Sequence, residues 1–401
     1  MTAHERGYGG AKVRGRGRSR TVVRHLVSND GPIPAHPCPP LGGAAPCHER
    51  VSCAPGDAFR VGSRPRWTGS SERSTRSPEG RRFAGVVRVD RGAETVLARA
   101  YGLAHRGLEI PNRVDTQFAL ASGAKGLTAL TVVSLIEDGA LELSTRARAL
   151  LGEDLPLVGD DVTVEQLLAH RSGICDYLDE GADVDITDYL LPVPVHELAT
   201  AEDYLAVLAG HPPKFRPDER FAYCNGGYVL LAVIAERASG VPFHELVLER
   251  VCEQAGMRDT AFLRSDEHAG RAAHGYLEVD GAWRTNVFHL PVRGSGDGGI
   301  FSTAADVRSL WTGLFAGAIV SPEWAREMTR PRSDVPAHSR RYGLGFWLHE
   351  STDALILEGY DAGVSFLSAH SPAFDLTHTV ISNTTDGAWP IARRLAERLE
   401  S

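Results

Sequence analysis

The sequence predicts an α+β fold: one antiparallel sheet built from both ends of the domain, flanked by helices, with a helical lobe from the middle of the chain. Two observations carry this. Strand-like alternation occurs at the start of the folded region and again near the C-terminus, and helical patterns fill the interval. At the start, 84–89 and 95–101 alternate around Gly92 and read as a hairpin. At the end, 342–348, 354–358, 363–368 and 378–382 read as strands, followed by a helix from Trp389.

The intervening helices have recognisable starts. The segment from Ser122 to Asp138 is apolar nearly all round, which marks a buried helix, and Gly139 suits its C-terminal cap. Thr163-Val164-Glu165-Gln166 is a capping box opening a short helix through His170. Helices are expected over 226–239 and 243–254. Thr303 caps another, and Ser321-Pro322 opens the next with proline in its favoured place.

The chain has 401 residues, 42% of them hydrophobic, enough for a large core. A net charge of −8 argues against a nucleic-acid binder. No apolar stretch is long enough to span a membrane. The six cysteines form no disulfide framework and no C-x-x-C pair. His244-Glu245 begins a zinc-protease pattern, but Leu248 stands where the second histidine belongs. No metal and no cofactor are expected. The partner is a small-molecule substrate, and the sequence does not give the oligomeric state.

Residues 1–82 are rich in Arg, Gly, Pro and Ser and have no sustained apolar pattern. They read as a disordered or spurious extension, with the folded domain at 83–401. An arginine arm for nucleic acid (Arg14, Arg16, Arg18, Arg20) ranks below that. So does a secretion signal, because 21–27 is too short and interrupted. A cytoplasmic location follows from that reading.

The chemistry centres on Ser122-Gly123-Ala124-Lys125. Residues three apart share a helix face, so the lysine can reach the serine hydroxyl. A helix N-terminus offers unpaired N–H groups to an oxyanion. A lysine in an apolar helix is desolvated, which favours the neutral form and makes it a base. Tyr223-Cys224-Asn225 supplies a proton-exchanging tyrosine and an amide donor for a substrate carbonyl. The glycine-rich run 294–299 matches a dinucleotide motif by letter, lacks a βαβ setting, and reads as a flexible loop. His170 reads as structural.

These motifs together resemble the serine β-lactamase and penicillin-binding-protein family, of the class C β-lactamase and related esterase type. Ser-x-x-Lys is followed about a hundred residues on by Tyr-x-Asn. The segments 167–173, 256–260 and 298–306 are similar to further family segments. The resemblance covers Phe83 to the C-terminus and implies a β-lactamase/transpeptidase-like fold. The family places K-T-G or H-x-G on a strand beside the nucleophile. Here 359–366 is the candidate, with Tyr360 where Lys or His stands and the Gly363 N–H completing the oxyanion hole. Ser122, Lys125 and Tyr223 are thus the expected catalytic residues, and Asn225, Tyr360 and Gly363 the expected binding residues.

The implied activity is cofactor-independent hydrolysis of an ester, amide or lactam through an acyl-enzyme, with an esterase first. A missing cation on the third motif disfavours carboxylate-bearing substrates, unless Arg340 or Arg341 supplies it. The alternatives are a β-lactamase or D-alanyl-D-alanine carboxypeptidase, and a catalytically silent binding protein of the same fold.

Overall fold

Eight antiparallel strands form the central sheet: β1 (Gly85–Arg91), β2 (Glu94–Tyr101), β3 (Ser333–Val335), β4 (Arg340–Tyr342), β5 (Trp347–His349), β6 (Leu355–Asp361), β7 (Val364–Ser371) and β8 (Leu376–Ser382). Their spatial order is β2-β1-β8-β7-β6-β5-β4-β3. The computed structural model describes residues 83–178, 186–267 and 270–399. The expected extension over 1–82 lies outside the described residues.

Both ends of the domain meet where β1 pairs with β8, with Val86 opposite Ile381 and Val87 opposite Val380. Gly92 turns the β1–β2 hairpin with φ +56°. Both faces of β1 are covered. Val86 joins the main core, whereas Val87 and Val89 pack with Val380, Ala392 and Leu395. The last two lie on the C-terminal helix α4 (Trp389–Leu399). A strand buried on both faces reads as a near-continuous apolar run.

The opposite face packs on α1 (Ala124–Glu137), which is buried almost throughout. Its hydroxyls are bonded rather than stranded. Thr131 Oγ1 donates to the Leu127 carbonyl (2.9 Å) and Thr128 Oγ1 to the Gly296 carbonyl (2.6 Å). Helix α2 (Asn225–Ser239) packs beside α1 and is equally buried at its start. Helix α3 (Ala304–Phe315) opens as expected, with the Thr303 hydroxyl accepting from the Asp306 N–H. The capping box at Thr163 and Gln166 is present in full, on a helix that ends at Leu168 rather than His170.

Three expectations need correction. Ser122 is not the first residue of α1 but sits in a 3₁₀ turn, Ala121–Gly123, ahead of it. The run 243–254 is helical but passes through a π turn at Leu248–Cys252. The single strand expected over 342–348 is two strands, β4 and β5. Between them the chain turns at Gly345, φ +89°, and lays its backbone against α1. A Cβ at Gly345 would lie 2.2 Å from the Ala129 Cβ.

Among the described residues no helix is long and apolar enough to cross a membrane. No group of three or more His, Cys, Asp or Glu among them is placed to hold a metal.

Gly345→Ala combines a left-handed backbone with a core clash, so a loss of about 2–4 kcal/mol is expected. Urea unfolding should show a lower midpoint with an unchanged slope. A midpoint within ~0.5 kcal/mol of wild type would mean the turn relaxes off α1.

Candidate active site

Lys125 is the centre of the site. It is 2% exposed, in a helix of alanine, leucine and valine. Its Nζ lies 2.9 Å from Ser122 Oγ, 2.7 Å from Asn225 Oδ1 and 2.8 Å from the Asp297 carbonyl oxygen. The Asn225 amide is oriented by its other end, since Nδ2 donates to the Leu178 carbonyl (3.2 Å). Its oxygen therefore faces the lysine.

Two of these three neighbours can only accept. The Ser122 hydroxyl can also donate. A neutral amine has two N–H donors and one lone pair. Donating to Asn225 and Asp297 turns that lone pair to Ser122, the geometry of a base that removes the serine proton.

The Tyr223 ring packs against the same ammonium position, its centre 4.9 Å from Lys125 Nζ. One side of Tyr223 meets the His170 ring at 4.3 Å, and the Trp347 ring stacks on it at 6.0 Å and 5°. His170 fixes the loop as well. Its Nδ1 accepts the Cys224 N–H (3.1 Å), and burial holds its pKa well below the usual range, so it stays neutral. Its role is to position the Tyr223–Asn225 segment, in line with a structural histidine.

The glycine-rich run 294–299 is not a flexible loop. It is packed against α1 and α2 and delivers the Asp297 carbonyl to Lys125. A Cβ at Gly296 would lie 2.2 Å from the Tyr228 carbonyl oxygen. Asp297 turns its carboxylate the other way, where Oδ2 accepts from the Tyr177 hydroxyl. Burial pushes this carboxyl above its ordinary pKa.

Asp176 holds the start of α2. Its Oδ2 accepts the Asn225 N–H (2.6 Å) and its Oδ1 the Gly226 N–H (2.9 Å), two N–H groups that a helix leaves unpaired. Burial raises its pKa to about 6 against these stabilising bonds. Asp176, Tyr177 and Asp297 escaped the sequence reading. Asp297 is the one non-glycine, non-serine residue in 294–299, and that singularity was the available signal.

The third motif needs a change of register. Gly359 faces the nucleophile: a Cβ there would lie 2.0 Å from the Leu120 carbonyl oxygen and 2.9 Å from the Ser122 nitrogen. Tyr360, on the opposite face, is half exposed and leans on Trp389 at 6.1 Å. The Gly363 N–H donates to Thr385 Oγ1 (2.9 Å), so it is not directed at the nucleophile. Ala354 accepts the His349 N–H from β5, so alternate residues Ile356, Glu358 and Tyr360 turn their backbone groups to that same side. β5 pairs only as far as Ile356, opposite Trp347, and Tyr360 lies past that pairing.

Ala121, directly before the nucleophile, has φ +44°. A non-glycine residue held there costs of order 1–3 kcal/mol and is kept by its surroundings.

The family model described as Beta-lactamase matches residues 71–398. The chain belongs to the beta-lactamase family. Penicillin-binding protein 4* of Bacillus subtilis is 27% identical over 289 residues, 69% of this chain and 62% of that protein. This chain therefore spans about six-tenths of that relative's length. Esterase EstB of Burkholderia gladioli is 30% identical over 303 residues, 66% of this chain and 74% of that protein. The crystal structure of a penicillin binding protein from Bacillus halodurans superposes with a TM-score of 0.74 at 32% identity, over 79% of this chain and 96% of that one. The α+β fold is that of β-lactamases and penicillin-binding proteins.

Within the family's K-T-G or H-x-G pattern, Gly359 takes the glycine. Leu357 then takes the first position, buried against Gly126 of α1. Neither lysine nor histidine stands there.

The Asp176 carboxyl titrates at about 6 when folded and near 3.8 when free. A raised folded pKa stabilises the fold fully below the free value, and that contribution is lost as pH rises through about 6. Activity should run the other way. Protonation below about pH 6 puts an O–H where an N–H must be accepted, and Asn225 loosens. kcat/KM should fall below that pH. Asp176→Asn should lower the plateau at least tenfold and remove the inflection. The same inflection in the variant would overturn this role.

Proposed function

We propose that this chain is an esterase-type serine hydrolase working through an acyl-enzyme, without cofactor. The observation that carries the reading is the 2.9 Å approach of Lys125 Nζ to Ser122 Oγ, with two obligate acceptors filling the amine's other positions.

The steps follow from the contacts. Ser122 Oγ attacks the substrate carbonyl carbon while its proton passes to Lys125 Nζ. The carbonyl oxygen becomes an oxyanion. The Ser122 N–H and the Tyr360 N–H are the backbone donors assigned to it, in place of the Gly363 N–H expected from sequence. Collapse breaks the bond to the leaving oxygen, which takes the proton from the lysine, and Tyr223, whose ring packs on Lys125, is the residue assigned to assist that transfer. Water then attacks the acyl-enzyme, losing its proton to the lysine; the acyl carbon to Ser122 Oγ bond breaks, Oγ takes that proton back from the lysine, and the free acid leaves. Asn225 holds Lys125 and defines the amide side of the cleft.

The substrate preference rests on charge. A carboxylate brought into this cleft needs a cation, because a desolvated unpaired carboxylate is costly. Arg340 is bound to Glu358 (2.5 Å) and lies over Trp347. Arg341 donates to the His349 carbonyl (3.0 Å). Leu357 replaces the family's cation. Neutral esters carry no such penalty. This favours esters over β-lactams and D-alanyl peptides.

A fluorophosphonate probe should label Ser122, located by peptide mass mapping, and Ser122→Ala should abolish ester turnover. p-Nitrophenyl butyrate should exceed nitrocefin in kcat/KM by tenfold or more, about 1.4 kcal/mol of transition-state preference. Probe addition elsewhere would remove Ser122 from its role. A tenfold advantage for nitrocefin would refute the charge argument while leaving the nucleophile intact.

A further inference from the structure

Asp297 is a buried acid whose main chain is held without help from its side chain. On either side of it, Ser295 and Gly298 exchange N–H to carbonyl bonds (3.0 and 3.3 Å). The Gly296 carbonyl accepts from Thr128 Oγ1 of α1 (2.6 Å). Asp297 is 8% exposed, and its carboxylate accepts the Tyr177 hydroxyl. A carboxylate withdrawn from water is costly. An amide oxygen of the same shape would accept the same hydroxyl at less cost. Hydrogen bonding alone therefore does not account for an acid at this position.

Charge does account for it. The carbonyl of the same residue accepts from Lys125 Nζ (2.8 Å), so the carboxylate lies within one residue's breadth of the amine. Lys125 is itself buried, and in such a core charges act beyond direct contact. The titratable groups facing Lys125 from the elements packed around it are His170, Tyr223, Cys224, Tyr228, Asp176 and Asp297. Burial keeps the His170 ring, the Cys224 thiol and the Tyr228 phenol neutral. Tyr223 presents its ring. The Asp176 oxygens are taken by the Asn225 and Gly226 N–H groups at the positive end of α2, which match its charge. The Asp297 carboxylate is held by a neutral phenol, which fixes its place and leaves its charge to act on the lysine.

We propose that Asp297 is a positioning residue that acts through Lys125: its carboxylate, held by the Tyr177 hydroxyl, is the countercharge for the ammonium that Lys125 becomes on taking the serine proton. The inference rests on the serine hydrolase reading and deepens its base step. The Ser122 O–H bond breaks and an Nζ–H bond forms, and the leaving oxygen later takes that proton. Asp297 stays ionised and Tyr177 keeps its own proton throughout.

Lys125 can be followed directly, because the chain has only three lysines, Lys12, Lys125 and Lys214. The experiment is an NMR pH titration of the full chain carrying isotope-labelled lysine, with the Lys125 signal identified by Lys12→Arg and Lys214→Arg. Removing a nearby negative charge disfavours the ammonium, so Asp297→Asn should lower the Lys125 midpoint by about one pH unit or more. The plateau of kcat/KM for p-nitrophenyl butyrate should fall about threefold or more, because a weaker base removes the serine proton more slowly. The ratio of wild-type to variant kcat/KM should shrink as pH is lowered, since the variant keeps its neutral amine to lower pH. A limb due to Asp176 is common to both proteins and cancels in that ratio. A merely structural Asp297 would give a constant ratio and an unmoved lysine. Should Asp297→Asn not fold, Asp297→Thr, neutral and of similar size, carries the same expectation. If neither neutral variant folds, the carboxylate is structural and the proposal fails. A Lys125 midpoint within about 0.3 pH unit of wild type, or above it, also overturns the proposal. If the ester is still cleaved and Ser122 labelled, the hydrolase reading survives that failure. If the midpoint falls as expected but Ser122 stays unlabelled and no ester is cleaved, the charge coupling stands and the hydrolase reading falls.

Discussion

A lysine nitrogen in a dry core is tolerable only with hydrogen-bond partners fixed around it. Lys125 meets that requirement through three segments far apart in the chain. Ser122 comes from the turn before α1, Asn225 from the start of α2 a hundred residues on, and Asp297 from a loop 172 residues on. Each segment is in turn held by something else. Adjacent residues hold the two distant acceptors: Asp176 bonds the main chain at Asn225, and Tyr177 bonds the side chain of Asp297. One dipeptide thereby sets both acceptor distances, so small displacements of it reach the nucleophile directly.

The same arrangement explains the density of glycine around the site. Backbone must approach backbone, and side chains would hold it off. Gly296 passes against the α2 backbone, Gly345 against α1, and Gly359 against the nucleophile turn. At Gly123 a Cβ would meet the Phe366 ring at 2.4 Å. The site is therefore assembled from the close contact of four segments, and the burial of Lys125 follows from that closeness.

The parts legible in the sequence were those with local signals. Period and caps gave the helices, because capping is a matter of residues three apart, as at Thr163 and Thr303. The Ser122–Lys125 spacing was legible for the same reason. Three features were not. The 3₁₀ turn at Ala121–Gly123 has ordinary helix-compatible residues, and its shape is imposed by β6 lying over it. The Asp297 carbonyl reaches Lys125 through main-chain geometry, which no side-chain pattern reports. The register of the third motif depends on which glycine faces Ser122. Glycines stand at both 359 and 363, and only the pairing of β5, β6 and β7 distinguishes them.

That register has a consequence for how reaction and specificity are divided. Oxyanion donors taken from the backbone do not depend on side-chain identity, so a strand can change its side chains and keep its catalytic N–H groups. Here the position that would carry a cation holds Leu357, which is turned into the core and adds to packing instead. Lys125 begins the reaction as a neutral base and becomes an ammonium as it takes the serine proton, so the positive charge of the site appears as the oxyanion forms. A substrate carboxylate meets no such charge on arrival, and its desolvation counts against binding. Selection by charge in this molecule therefore acts first on binding, and the charge of the lysine is kept for the transition state.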